Sequence, residues 1–137
     1  MATEVFIDTS GFYAQLVLGD DAHVRARDFM KTAAKRRRRF VTTDYVLDET
    51  ATLLRARGHG QVCSSFFDAI FASQVCRIEW MNAERFAQVV ASFLKNQDKG
   101  WSFTDCFSFC LMRELGITDA LTKDAHFGQA GLVAALV

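Results

Sequence analysis

Val5-Phe6-Ile7-Asp8-Thr9-Ser10-Gly11 decides the fold, because a short apolar run there ends at an acid, two hydroxyl residues and a glycine. Three consecutive large apolar residues are typical of a strand that is covered on both faces of a sheet. Further strands are predicted at residues 40–42, 75–80, 117–122 and 132–136. Helical patterns separate them, at residues 11–18, 21–34, 43–57, 61–73, 83–96 and 102–115. This alternation predicts an α/β fold with a central parallel sheet and helices on both faces.

The composition is that of a soluble globular protein. The length of 137 residues predicts a single domain spanning residues 1–137. Hydrophobic residues make up 50% of the chain and charged residues 23%, which excludes a disordered protein. Sixteen Lys and Arg residues balance sixteen Asp and Glu residues, which excludes nucleic-acid binding through bulk charge. No apolar run approaches the ~20 residues of a membrane span, and the N-terminus does not resemble a signal peptide. We therefore expect a cytoplasmic protein that makes no membrane contact.

Four acids lie where α/β folds place active sites, at strand ends and helix starts. Asp8 follows the first strand, although an acid there also fits a helix N-cap. Asp124 follows a later strand, although an acid there also fits a turn. Asp105 opens a helix that is apolar nearly all round, so it is either a capping acid or an inward-facing group.

Glu49, the fourth acid, is distinguished from its neighbour Asp48 by the helical period. At ~100° per residue, Glu49 lies about 60° from apolar Val46, whereas Asp48 lies about 160° away. Glu49 is therefore predicted to face the interior and Asp48 the solvent. The alternative for Glu49 is a partly exposed boundary position.

The four acids together predict a site for a divalent cation. Two carboxylates ~4 Å apart repel each other by about 4 kcal/mol at an effective dielectric of about 20, and a bound cation removes that penalty. The four cysteines form no CxxC pair, and His23, His59 and His126 lack metal-ligand spacing, which argues against zinc. Oxygen ligands favour Mg²⁺ or Mn²⁺, which commonly face phosphates.

Three segments of the chain resemble the PIN-domain ribonucleases, in particular the VapC-type toxins. The first is VFIDTSGFYA at 5–14, the second is TTDYVLDET at 42–50, and the third runs from FTDCFSF at 103–109 to LTKDAHF at 121–127. They occur in the family's order and together span nearly the whole chain. The resemblance implies catalytic and metal-binding roles for Asp8, Glu49, Asp105 and Asp124. It also implies that neighbouring hydroxyls hold the acids or their waters, namely those of Thr9, Ser10, Thr104 and Ser108.

The same resemblance implies the fold, the reaction and the partners. The expected fold is a compact three-layer α/β/α arrangement around a parallel sheet. The expected reaction is Mg²⁺- or Mn²⁺-dependent hydrolysis of single-stranded or structured RNA. The expected partners are a second copy of the chain, forming a homodimer, and a small antitoxin protein that blocks the acidic pocket. The chain is thus expected to be the endoribonuclease toxin of a toxin–antitoxin pair.

A basic run at residues 35–39 places five of the sixteen cationic side chains in consecutive positions. Its arginines are candidates to bind RNA phosphates near the pocket, namely Arg36, Arg37, Arg38 and Arg39. A solvated turn that enters the strand at Phe40 is an equally good interpretation.

Two other functions fit parts of the sequence. A PIN-fold module that binds RNA or protein without cleaving it has the same fold, and cleavage that needs Mg²⁺ and stops with EDTA distinguishes the enzyme from it. An aspartate-based phosphohydrolase fits Asp8 after the first strand. Such phosphatases usually carry a second Asp two positions further on, where this chain has Ser10.

Overall fold

The protein is built on a five-stranded parallel sheet, and the computed structural model describes residues 4–137. Within these residues the strands are β1 (Glu4–Ile7), β2 (Arg39–Thr43), β3 (Cys76–Glu79), β4 (Asp119–Leu121) and β5 (Val133–Ala134). The helices are α1 (Thr9–Leu16), α2 (His23–Lys35), α3 (Asp44–Ala56), α4 (Cys63–Ala72), α5 (Ala83–Lys95), α6 (Phe103–Leu115) and α7 (His126–Gln129). Short 3₁₀ turns at Gly60–Val62 and Gln97–Lys99 precede α4 and follow α5. The predicted α/β class is therefore confirmed.

The strand order places two parts of the chain on opposite sides of β1. The order is β3-β2-β1-β4-β5, and every neighbouring pair is parallel. The chain moves outward from β1 through β2 to β3, then returns to the other side of β1 for β4 and β5. Ligands of open α/β sheets bind outside the carboxyl ends of the strands where such an order reverses. That crevice lies between the ends of β1 and β4.

The central strands are buried, as the apolar run at residues 5–7 predicted. Val5, Phe6 and Val41 are fully buried in the sheet. Phe109 of α6 packs edge-on against Phe127 of α7, with ring centroids 4.8 Å apart, and Phe127 also contacts Phe6. Helices therefore cover the sheet in the predicted three-layer arrangement. None of the helices in the described part of the chain combines the length and apolar character needed to span a bilayer.

The helix ends follow the capping residues of the sequence. The Thr43 side chain accepts a hydrogen bond from the Val46 N–H at the start of α3. Ser102 caps α6 in the same way, and Gly116 ends it with a positive φ of 69°. Strands β3, β4 and β5 are shorter than the sequence predicted, because only their central residues pair with neighbouring strands.

Helix α1 begins two residues earlier than predicted and packs closely on β4. It starts at Thr9 because Asp8 occupies the N-cap position with extended backbone angles. A Cβ added to Gly11 would lie 2.1 Å from the carbonyl oxygen of Leu121, so only glycine allows this approach. The contact brings the start of α1 against the carboxyl end of β4.

Candidate active site

The four acids singled out in the sequence line one cleft of about 340 Å³ at the carboxyl edge of the sheet. Each comes from a different part of the chain. Asp8 lies between β1 and α1, Glu49 on α3, Asp105 in the first turn of α6, and Asp124 after β4. The strand order explains the convergence, because the ends of β1 and β4 are neighbours where the order reverses.

Asp8 is the most deeply buried of the four acids, with 5% of the residue exposed. It occupies the N-cap position of α1, as the alternative interpretation allowed, but its side chain makes no capping hydrogen bond. Instead the Thr122 hydroxyl donates a 2.8 Å hydrogen bond to Asp8 Oδ2. The pKa of Asp8 is raised from 3.8 to about 7, mainly because the carboxyl is buried, with smaller contributions from the charges of Asp105 and Glu49. The hydrogen bonds from the Thr122 hydroxyl and the Thr9 N–H oppose this shift. The protein thus holds a carboxylate where its charge is unfavourable unless a cation is bound.

Glu49 is an exposed residue at the rim of the cleft. The prediction that it faces the interior is therefore wrong. The Thr9 hydroxyl donates a 2.5 Å hydrogen bond to Glu49 Oε1 across the contact between α1 and α3. This bond directs the carboxylate toward the cleft, which its position at the edge of the apolar arc permits. Asp48 is exposed and does not line the cleft, as predicted.

Asp105 combines the two roles that the sequence left open. Its Oδ2 accepts a 3.1 Å hydrogen bond from the Ser102 N–H, while its own N–H donates to Ser102 Oγ at 3.0 Å, forming a capping box. Its side chain is nevertheless only 14% exposed and lines the cleft. Burial raises its pKa, and the charge of Asp124 raises it further.

His126 lies beside two of the cleft acids, and the sequence analysis did not identify it as a site residue. Its Nδ1 lies 3.2 Å from Asp124 Oδ1 and 3.8 Å from Asp105 Oδ2, yet it makes no hydrogen bond within residues 4–137. Asp105, Asp124 and His126 each offer a ligand atom within 4.8 Å of the others. The spacing of the histidines in the sequence did not indicate this grouping. The position of His126 two residues after Asp124 was the available signal, because a turn can bring such neighbours together.

Two of the four hydroxyl residues predicted to hold the acids do so. The Thr9 hydroxyl donates to Glu49 Oε1, and the Ser10 hydroxyl lies 3.5 Å from Asp8 Oδ2, to which it donates. Ser10 Oγ also lies 3.1 Å from Thr122 Oγ1 and accepts a 2.8 Å hydrogen bond from the Lys123 N–H. The other two do not contact an acid within the described chain. The Ser108 hydroxyl donates a 3.1 Å hydrogen bond to the Thr104 carbonyl of its own helix. It therefore bonds a backbone carbonyl and not an acid of the site.

Two cations also line the cleft, and they differ in what they contact. The Lys123 ammonium lies 3.3 Å from both carboxylate oxygens of Asp20 and also bonds Asp21. Arg57, at the end of α3, lies over the ring of Tyr13. Neither cation was singled out as an RNA contact in the sequence.

The basic run at residues 35–39 lies at the opposite edge of the sheet from the acids, so its predicted proximity to the pocket is wrong. Arg39 begins β2 and pairs with Glu4 in the amino-terminal part of β1, whereas Asp8 follows the carboxyl end. At ~3.3 Å per residue, the intervening strand separates them by about 13 Å. Arg38, whose side chain is 14% exposed, forms a 2.8 Å ion pair with Asp119 at the start of β4. RNA binding by the run stays a prediction.

Comparisons with known proteins agree with the geometry of the cleft. No protein-family model matches the chain. The chain is 34% identical over 130 residues to the 23S rRNA-specific endonuclease VapC20 of two Mycobacterium tuberculosis strains, covering 94% of this chain and 95% of each relative. The crystal structure of Mycobacterium tuberculosis VapC20, a sarcin–ricin-loop cleaving toxin, superposes with a TM-score of 0.84 at 32% identity, over 94% of this chain and 96% of that chain. The resemblance predicted from the sequence is confirmed, and the chain belongs to the VapC-type toxins of the PIN-domain ribonuclease family.

Proposed function

We propose that this protein is a Mg²⁺- or Mn²⁺-dependent endoribonuclease whose active site is the acidic cleft, and that it acts as the toxin of a toxin–antitoxin pair. The observation that supports the site most strongly is the convergence of four acids from four separate elements. Surface acids occur in many proteins, but a carboxylate as buried as Asp8 has a strongly raised pKa and needs a cation to stay charged.

The residues of the cleft fit a divalent cation. Asp8, Glu49, Asp105 and Asp124 supply carboxylate oxygens, the donors that Mg²⁺ and Mn²⁺ prefer, and His126 adds one unpartnered ring nitrogen. We propose these four acids as the metal-binding and catalytic residues. A cation held there supplies positive charge that offsets the acids and stabilises the negative charge developing on the phosphate.

Water is the proposed nucleophile, because the cleft hydroxyls are already engaged. The Thr9 hydroxyl donates to Glu49, and the Ser10 hydroxyl belongs to the network with Thr122 and the Lys123 N–H. In the hydrolysis, the water oxygen bonds to phosphorus and the bond from phosphorus to the 3′ oxygen breaks. The 3′ oxygen takes up a proton, which leaves a 5′-phosphate and a 3′-hydroxyl.

The proposed substrate is structured ribosomal RNA. The relative VapC20 is named a 23S rRNA-specific endonuclease and a sarcin–ricin-loop cleaving toxin, and its similarity extends over 94% of this chain. We propose that this protein cleaves the corresponding loop of 23S rRNA. A cytoplasmic location follows from that substrate.

The proposed protein partners are a second copy of the chain and a small antitoxin. A surface that supports association lies on α4, α5 and the residue after β3, where large apolar side chains are exposed. These are Phe71, Trp80, Phe86, Phe93 and Leu94. Sedimentation equilibrium tests the dimer, which is expected at micromolar concentration and contradicted by a monomer over the whole range.

Cleavage of a short RNA tests the proposed function. A synthetic sarcin–ricin-loop RNA is incubated with the protein in Mn²⁺ or Mg²⁺, with EDTA, and with EDTA followed by excess metal. We expect cleavage at one site that EDTA stops and metal restores. Asp105→Asn abolishes it, whereas Asp48→Asn, on the exposed side of α3, retains it. Tight RNA binding without cleavage in either metal supports the non-catalytic binding module instead.

A further inference from the structure

The acidic cleft has more negative than positive side chains, which disfavours the binding of RNA. Asp8, Asp20, Glu49, Asp105 and Asp124 line it together with only Arg57 and Lys123, and the backbone of RNA is a polyanion. A cation bound by the acids offsets part of this repulsion at the scissile phosphate. The neighbouring phosphates, one nucleotide away on either side, need a positive group of their own.

Lys123 is not available for that contact. Its ammonium bonds the carboxylates of Asp20 and Asp21. These contacts fix the ammonium between two carboxylates, so a phosphate that approaches it must displace one of them. The ion pairs within residues 4–137 do not include Arg57. Arg57 is therefore the cleft cation whose charge is open to a ligand.

The surroundings of Arg57 hold its guanidinium in place. Its Cζ lies 5.2 Å from the centroid of the Tyr13 ring, which is a cation–π contact. Tyr13 is only 8% exposed, and its ring packs edge-on against His59 with centroids 6.1 Å apart. Arg57 is an exposed residue, so its N–H groups are accessible for the paired hydrogen bonds that a phosphate accepts.

Arg57 also lies where two concave surfaces meet. A second concavity of about 670 Å³, bounded by the 16–21 loop and the 59–62 turn, shares Tyr13, Asp20 and Arg57 with the acidic cleft. The two concavities are therefore adjacent, with Arg57 bordering both, and together they are called the groove below. A strand of RNA that leaves the acids along this groove passes the N–H edge of Arg57.

We propose that Arg57 is an RNA-positioning residue that binds a backbone phosphate next to the scissile phosphodiester, in the groove between the acidic cleft and the 59–62 turn. The proposal rests on the proposed function, because it assumes that RNA enters this cleft. It differs from the prediction for the basic run, which lies at the other edge of the sheet. Arg57 acts on how the RNA is held, not on the bond that breaks.

The test compares Arg57→Ala and Arg57→Lys with Arg55→Ala, a matched control. Arg55 is an exposed cation in the last turn of α3 that lines neither concavity. Binding of the sarcin–ricin-loop RNA is measured by fluorescence anisotropy in EDTA at several KCl concentrations, and cleavage is measured in Mn²⁺ over a range of RNA concentrations.

For Arg57→Ala we expect about tenfold weaker binding, and a slope of log affinity against log salt that is smaller by roughly 0.7 to 0.9. KM rises by a similar factor and kcat changes less than twofold. Arg57→Lys keeps the wild-type salt slope but only part of the affinity, because an ammonium retains the charge without the paired donors. Arg55→Ala behaves as wild type.

The proposal is overturned if Arg57→Ala binds with wild-type affinity and salt slope, if Arg55→Ala loses as much affinity, or if wild-type protein binds no RNA. A wild-type protein that binds the RNA but does not cleave it contradicts the proposed function instead. In that case the binding measurements in EDTA still decide the role of Arg57.

Discussion

The hydroxyl of Thr122, at the end of β4, donates a 2.8 Å hydrogen bond to Oδ2 of Asp8, at the end of β1. The two residues directly follow β1 and β4, the strands between which the strand order reverses, and both are buried. Thr122 Oγ1 also accepts a 3.0 Å hydrogen bond from the Asp124 N–H. One hydroxyl thus connects two of the four acids and fixes the separation of their backbones.

Thr122→Val removes this hydroxyl while preserving the shape of the side chain. Asp8 then loses the shorter of its two side-chain hydrogen bonds, and the Asp124 N–H loses its acceptor. We expect the free energy of unfolding to fall by about 1–3 kcal/mol in metal-free buffer at pH 8, and the pKa of Asp8 to rise above about 7. Urea unfolding measures the change. Thr122→Ser, which keeps the hydroxyl, is the control, and a valine variant as stable as wild type would show that the bond contributes little.

The burial of Asp8 predicts how the stability of the metal-free protein depends on pH. The folded protein holds the Asp8 proton up to about pH 7, whereas the unfolded chain releases it near pH 3.8. Between these values the folded state binds more protons, so its stability decreases as the pH rises, and the loss is complete above about pH 7. The difference between the two pKa values corresponds to roughly 4 kcal/mol.

The Asp8→Asn variant has no carboxyl group at this position. Its comparison with wild type therefore isolates the contribution of Asp8 to the pH dependence of stability. The variant's advantage over wild type in unfolding free energy is expected to grow from pH 4 to pH 7 and then stay constant, in EDTA. Urea titrations at several pH values measure it. A constant difference over that interval would falsify the raised pKa of Asp8.

The chemistry of the site was easier to predict from the sequence than its surroundings. Asp8 and Asp124 were found because an acid directly after a buried apolar run must lie at the carboxyl edge of a parallel sheet. Thr122 was not found, because a single threonine at a strand end has no distinguishing pattern, and its role depends on which strand is adjacent. The sequence does not show that β4 lies next to β1.

The position of the basic run was mispredicted for a reason that the sequence contained. Arg39 precedes the apolar residues of its strand, whereas the acids follow theirs. In a parallel sheet, residues that precede strands lie at the amino edge, away from a site at the carboxyl edge. The exposure of Glu49 was not predictable in the same way, because an edge position on a helix fits either a buried or a rim carboxylate.

A bound cation should stabilise the fold. A ligand that binds only the folded state at ~100 times its dissociation constant adds about 2.7 kcal/mol. Each kcal/mol shifts the Tm of a domain of this size by roughly 3–5 °C, so we expect a rise of several degrees in millimolar Mn²⁺ or Mg²⁺. The shift should shrink in Asp8→Asn and Asp105→Asn and persist in Asp48→Asn. A wild-type Tm that responds no more to these metals than to KCl of matched ionic strength contradicts a shared site.

The basic run provides a prediction that depends on the length of the RNA. Because the run lies about 13 Å or more from the acids, a short oligonucleotide held in the cleft does not reach it. Arg36→Ala combined with Arg37→Ala is expected to weaken binding of a long 23S rRNA fragment and to reduce its salt slope. Cleavage of the short loop RNA should stay unchanged. Equal binding of the long RNA by wild type and variant would show that the basic run is a solvated turn that does not contact RNA.

The chemical identity of the RNA ends tests the central claim most directly. The loop RNA is cleaved by wild-type protein in Mn²⁺, and the fragments are identified by mass spectrometry, with Asp105→Asn as the inactive control. Hydrolysis by water at an acid-bound cation predicts a 5′-phosphate and a 3′-hydroxyl, formed only when metal is present. Fragments that carry a 2′,3′-cyclic phosphate, or cleavage that continues in EDTA, would mean attack by the 2′-hydroxyl and contradict the proposed role of the acids.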